Sequence, residues 1–90
     1  MALNVSGTIA AANVSQAVFG KTALKLFTGY QIQNTSAGVL YFEDNGAPAT
    51  TASMQIAAGQ MYTSPDGCTP FNGMTILGGT LGQTYVGKVY

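Results

Sequence analysis

The sequence has no histidine and only one cysteine. Without histidine, every histidine-dependent triad and every histidine-ligated metal site is excluded. Cys68 alone cannot form an intrachain disulfide or build a zinc–thiolate cluster. With no histidine or arginine nearby to lower its pKa, it reads as a small side chain in a turn rather than a reactive thiol. Charge is scarce too: charged residues are 7% of the chain, where soluble domains carry roughly 25%. Lys21, Lys25 and Lys88 are the only cations, too few to neutralise a phosphate backbone, so no nucleic-acid partner is expected. No apolar run approaches the roughly 18 residues of a membrane-spanning helix, so no membrane partner is expected either. The start, Met-Ala-Leu-Asn, lacks the basic and apolar regions of a signal peptide, so synthesis in a reducing cytoplasm is expected.

What fills the chain instead is small and neutral: Thr, Ala, Gln, Asn and 12 glycines, with hydrophobic residues at 47%. That apolar share rules out a disordered chain. Ninety residues make one domain, 1–90. A domain this small, without disulfide or metal, has little margin of stability. Burial against other subunits is the obvious supplement, and monomers usually keep a charged, self-repelling surface that this chain lacks. A multimer is therefore expected, as a trimer or a ring.

The patterning is β throughout. Leu3, Val5 and Ile9 alternate with Asn4, Ser6 and Thr8, and a short strand or turn follows at Val14 to Val18. Residues 21–27, KTALKLF, are too short for an independent helix and read as extended or irregular. Tyr30–Asn34 and Val39–Phe42 read as a hairpin across Thr35–Gly38, and Ser53–Ile56 and Gln60–Thr63 as another across Ala57–Gly59. Gly73–Leu77 and Thr84–Tyr90 are the last strands. The expectation is an all-β fold, a small antiparallel β-sandwich or jelly-roll-like barrel of about seven or eight short strands.

Few motifs carry chemistry. Gly20-Lys21-Thr22 looks like the end of a phosphate-binding loop, but Ser15 stands where that loop needs its first glycine. Glu43 and Asp44 are adjacent, so on a strand end they point to opposite faces and cannot flank a substrate together. With Asn45 they could offer a weak Ca²⁺ site, against the plainer reading of solvated turn residues. Asn4, Asn13 and Asn34 each begin an Asn-x-Ser pattern, as chance allows in a chain rich in these residues. Tyr30, Tyr41, Tyr62, Tyr85 and Tyr90 suit a core or an interface better than a sugar-stacking platform. No catalytic, metal or cofactor residue is assigned, and an enzyme is not expected.

Several segments in order resemble a known class. Gln31-Ile-Gln-Asn-Thr-Ser36 is similar to an opening strand and polar turn, and Val39-Leu-Tyr-Phe42 to the second strand, with Asn45-Gly46 after it. Ile56 to Tyr62 is similar to the strand, Ala-Gly turn and aromatic strand that follow. Ser64-Pro-Asp-Gly67 precedes another strand, and Gly78 to Gln83 resembles the Gly-x-x-Gly-Gln turn before the last. Together, Tyr30 to Tyr90 resembles the very small β-sandwich virion proteins of tailed bacteriophages, of the head-decoration or cement type. The resemblance implies a structural subunit of a phage particle, made in the host cytoplasm and residing in the virion. Its partners would be its own copies and the major capsid protein or another virion protein. A neck or tail protein of the same particle and a carbohydrate-binding host-attachment module are the alternatives.

The chain end points to a contact surface. Thr84–Tyr90 is apolar and aromatic with one charge, Lys88, and would be an aggregation hazard as a free edge. Leu3, Val5, Tyr85, Val86, Val89 and Tyr90 are therefore the interface candidates, with the last strand and Leu3–Ile9 expected to pair with or pack on a neighbouring subunit.

Overall fold

A computed structural model describes residues 3–19, 28–65 and 73–90. The KTALKLF segment, Gly20-Lys21-Thr22, Asp66 and Cys68 lie outside the described residues. Eight strands are described: β1 (Leu3–Thr8), β2 (Gln16–Phe19), β3 (Tyr30–Asn34), β4 (Leu40–Glu43), β5 (Met54–Ile56), β6 (Met61–Thr63), β7 (Met74–Gly78) and β8 (Thr84–Val89). They form two four-stranded sheets, ordered β1-β8-β3-β6 and β2-β7-β4-β5, antiparallel throughout. Every connection between successive described strands changes sheet except β4 to β5. That order is the jelly roll, two interleaved Greek keys; it falls within the class of small antiparallel all-β folds that the alternating pattern led one to expect.

Both expected hairpins are corrected. β3 and β4 lie in opposite sheets, and so do β5 and β6. The turns between them are arches over the end of the sandwich. A lone hairpin of such short strands is marginal in water. Splitting each pair instead puts Ile32 and Phe42 in opposite walls of one core, at 0% and 1% exposure. Each strand also gains a better partner, β3 pairing with β8 along its whole length and β4 with β7.

The last strand is corrected as well. β8 is no edge: β1 and β3 flank it on both sides. Its burial alternates, so Tyr85 and Val89 enter the subunit's own core while Val86 and Lys88 face outward. These two inward candidates are therefore spent on folding the single chain. Val5 is half-buried at the core margin, and the half-buried Tyr90 lays its ring against Gly29. Leu3 pairs with Val89 through the backbone.

Two glycines admit the rings that fill this core. A Cβ on Gly7 would collide with the hydroxyl end of Tyr85, which crosses β1 at that point. A Cβ on Gly87 would stand 3.0 Å from the ring of Phe19, which reaches β8 from the other sheet. Tyr62 completes an aromatic trio between the sheets, its ring 5.9 Å from that of Tyr30 and 5.3 Å from that of Phe42.

The Gly7 contact is testable. Because Tyr85 is buried, its ring has no open space to retreat into. Gly7→Ala should lower stability by about 1–3 kcal/mol, the usual cost of overpacking. Urea denaturation measures it, and a change below about 0.5 kcal/mol would show that the ring is free to move aside.

Candidate interaction surfaces

The outer faces of the two sheets are finished differently. Over β2-β7-β4-β5 the β4–β5 connection folds back: Ala47 C=O accepts from the Thr75 hydroxyl at 2.7 Å, and Ala49 N–H donates to Ser15 Oγ at 2.9 Å. Ser15 immediately precedes β2, and β7 lies between β2 and β4. The connection therefore crosses β7, on whose outer side Leu77 is only 6% exposed.

Among the described residues, nothing crosses the outer face of β1-β8-β3-β6 in this way. Pleating sends outward Asn4, Ser6 and Thr8 of β1, then Thr84, Val86 and Lys88 of β8. Gln31 and Gln33 follow from β3, and Met61 and Thr63 from β6. Lys88 is the one charged side chain on these strands. Val86 and Met61 are 39% and 53% exposed and both flank Gln33 in the register, so two apolar side chains stand on either side of an amide, Met61 on the edge strand β6. Between them lies a shallow hollow of about 100 Å³.

The end of the sandwich where β3 arches to β4 is held by side-chain amides. Asn34 is wholly buried. Its Nδ2 donates to the carbonyls of Gly38 at 2.6 Å and Ile56 at 2.8 Å. Its Oδ1 accepts from Ser36 N–H at 2.9 Å and Ser36 Oγ at 2.6 Å. Every hydrogen-bonding capacity of that amide is used. Gln83 adds a second tie from the β7–β8 turn, donating to Ser36 Oγ at 3.3 Å and Val39 C=O at 3.2 Å and accepting from Thr80 N–H at 3.0 Å. The two turns enclose an open cleft of about 490 Å³, walled by Ser36, Gly38, Thr80, Gln83, Thr84 and the exposed Leu81. Its lining carries no charge.

The other sequence candidates do not converge. The Glu43 carboxylate accepts from Ser53 Oγ at 2.7 Å, and Asp44 accepts from the Tyr30 hydroxyl at 2.6 Å. Asn45 Oδ1 closes its own turn on Ala47 N–H at 3.0 Å. Among the described residues no group of three or more acids, cysteines or histidines comes together. The tyrosines form no platform: Tyr30 and Tyr85 are buried, Tyr62 packs between sheets, and Tyr41 lies on the β4 outer side. Asn34, first residue of an Asn-x-Ser pattern, is a buried structural pin. Sequence reasoning missed both amide pins, although an Asn two residues before a Ser at a strand end is the signal of an Asx turn.

No protein-family model matches the chain, and none of the curated proteins matches it. Among solved structures, the crystal structure of PirA superposes with a TM-score of 0.55 at 14% identity, over 97% of this chain and 92% of that one. That likeness is one of fold.

Two consequences can be measured. Asn34→Ala would take the amide donor from the buried Ile56 carbonyl and from the part-buried Gly38 carbonyl, which keeps the Ser36 hydroxyl at 3.2 Å. It should therefore cost about 1–3 kcal/mol in urea denaturation; a loss under about 0.5 kcal/mol would show that water replaces the amide. The second concerns alkali. Burial, then the hydrogen bond to the Asp44 carboxylate, pushes the Tyr30 phenol well above its usual range. The folded chain then holds its proton at a pH where the unfolded chain, ionising near 10, has released it. Stability is complete below about pH 10 and falls above it by at most about 1.4 kcal/mol per pH unit. Tyr30→Phe should flatten that slope, and equal slopes in both proteins would refute the assignment.

Proposed function

We propose that the protein is a structural subunit of a tailed-phage particle, of the head-decoration or cement kind, that docks on a shell protein through the outer face of β1-β8-β3-β6. The observation that carries this reading is the difference between the two faces. One is crossed by the chain's own β4–β5 connection. The other presents Val86 and Met61 within a neutral rim of Asn, Gln, Ser and Thr. Exposed apolar side chains among neutral polar groups, with charge nearly absent, suit a protein–protein contact. Lys88 at the margin suits an acidic group on the partner. The resemblance of Tyr30–Tyr90 to small virion proteins supplies the setting: synthesis in the host cytoplasm, residence in the virion, and partners that are its own copies and the shell. The role requires no cofactor, nucleic acid, membrane or catalysis.

A second reading rests on the loop-end cleft, whose neutral hydroxyl and amide lining beside Leu81 suits a polyhydroxylated ligand. It would make the chain a glycan-binding attachment module.

Particles lacking the protein, mixed with purified chain and sedimented, decide between the two. Val86→Glu with Met61→Glu should weaken attachment about tenfold or more, with an unchanged circular dichroism spectrum, because charges would enter the centre of the contact. Attachment at the wild-type level would rule out this face. Binding of the isolated protein to arrayed neutral glycans, lost in Thr80→Trp, would favour the cleft.

A further inference from the structure

The four lateral edges of the sandwich are not equally guarded. β5 and β6 are 3 residues each. β2 breaks register between Ala17 and Phe19. Short strands and irregularities of this kind are how proteins stop an open row of backbone groups from pairing with another chain. β1 has neither: its 6 residues, LNVSGT, pair with β8 without a break and include no proline and no charge.

The hydrogen bonds show which groups that edge offers. Ile9 continues the ladder toward the β8 side, donating to Gln83 C=O at 2.7 Å and accepting from Gly82 N–H at 3.0 Å. The Thr8 carbonyl turns the other way and accepts from Gln16 Nε2 at 3.0 Å. Backbone groups alternate in direction along a strand, so those of Val5 face β8 and those of Asn4 and Ser6 face outward. The Val5 side chain, half-buried, packs against the margin of the core.

We propose that β1 is the strand through which two copies of this chain join, antiparallel about a two-fold axis at Val5, so that the two β1-β8-β3-β6 sheets become continuous. This rests on the reading of the protein as an assembly subunit and names the surface by which its copies meet. In this register Asn4 faces Ser6 of the second copy, and each such pair exchanges two backbone hydrogen bonds. Val5 faces Val5 at the non-bonded position, where Cα atoms stand about 4.5 Å apart, and the two side chains close the core margin. The composition of β1 fits a second copy in particular. A two-fold contact sets each strand against itself, so any charge would sit close to its own kind. β1 carries none, and Lys88 lies one strand further in. Three strand spacings, about 14 Å, would separate it from its counterpart, beyond a Debye length of about 8 Å. A trimer or ring would need a different, heterologous surface.

Sedimentation velocity of the full chain and three variants tests the contact. Ser6→Pro removes an N–H that β8 does not use, and proline is tolerated at such edge positions. It should leave circular dichroism unchanged and raise the dissociation constant of self-association about 30-fold or more, since one backbone bond is lost in each of the two Asn4–Ser6 pairs of the dimer. Val5→Cys in a Cys68→Ser background should form a disulfide-linked dimer on mild oxidation, because its Cα separation falls in the bridging range. Thr8→Cys in the same background, displaced by six residues from its counterpart, should not. A folded Ser6→Pro protein that associates like wild type, or the absence of a Val5→Cys cross-link, overturns the proposal. If Ser6→Pro does not fold, the two cysteine variants decide alone. Attachment to particles through Val86 and Met61 is scored separately, so the edge contact can fail while the docking face stands, and the reverse.

Discussion

The fully bonded Asn34 amide is the constraint on which one end of this sandwich depends. Its residue ends β3, and its side chain reaches a carbonyl of the arch that leads to β4 and another at the end of β5. Two strands from opposite sheets and the arch between β3 and β4 are therefore tied at one atom group. Its own backbone extends the tie, with N–H to Gln60 C=O at 2.9 Å and C=O from Gly59 N–H at 2.9 Å. A buried amide satisfied at every site is stabilising, and one left half satisfied is worse than an apolar residue. The arch geometry follows, because Ser36 and Gly38 must present their groups to Asn34 before the chain can turn into β4. Gln83 then uses the same Ser36 hydroxyl to bring the β7–β8 turn alongside.

With that end closed by amides, the core is free to be almost purely apolar and aromatic. The two carboxylates among the described residues lie at the end of β4. Glu43 is held by Ser53 and Asp44 by Tyr30, so both carboxylates serve to fasten the end of β4. The exposed sheet face is left with Lys88 among amides, hydroxyls, Val86 and Met61. Among the described residues, low charge in the composition thus appears on this face and on the β1 edge.

The class of fold was legible because side-chain alternation survives in short segments. Tyr30–Asn34 was read with the bounds the structure has, and Ile32 alternates with Gln31 and Gln33 as an inward residue should. The pairing was not legible. Thr35–Gly38 has the residues of a tight turn, and a hairpin and an arch use the same ones. What separates them is the partner that each strand finds far along the chain, β8 for β3 and β7 for β4, which no local window contains. The final strand misled for a related reason. Tyr85, Val86, Val89 and Tyr90 are apolar whether they line a core or an interface, and the fate of each depends on which side of the pleat it falls. The period-2 pattern does place Tyr85 and Val89 together and Val86 opposite them. Only the interior position of β8 says that the first pair is buried.

The amide pins were hidden by a different ambiguity. Asn and Gln in a polar sequence read as surface, and Asn34 sits within an apparent glycosylation pattern. Burial of an amide is costly unless every site is met, so its partners must be assembled before its role is visible. Those partners are backbone carbonyls of Gly38 and Ile56, which have no signature of their own in a sequence. The Asn34–Ser36 spacing could indicate a local turn. It could not indicate the carbonyl of Ile56, contributed by a strand of the opposite sheet. Where a polar residue is pinned by backbone from afar, its function in the fold is a property of topology, and the same holds for the glycines that make room for Tyr85 and Phe19.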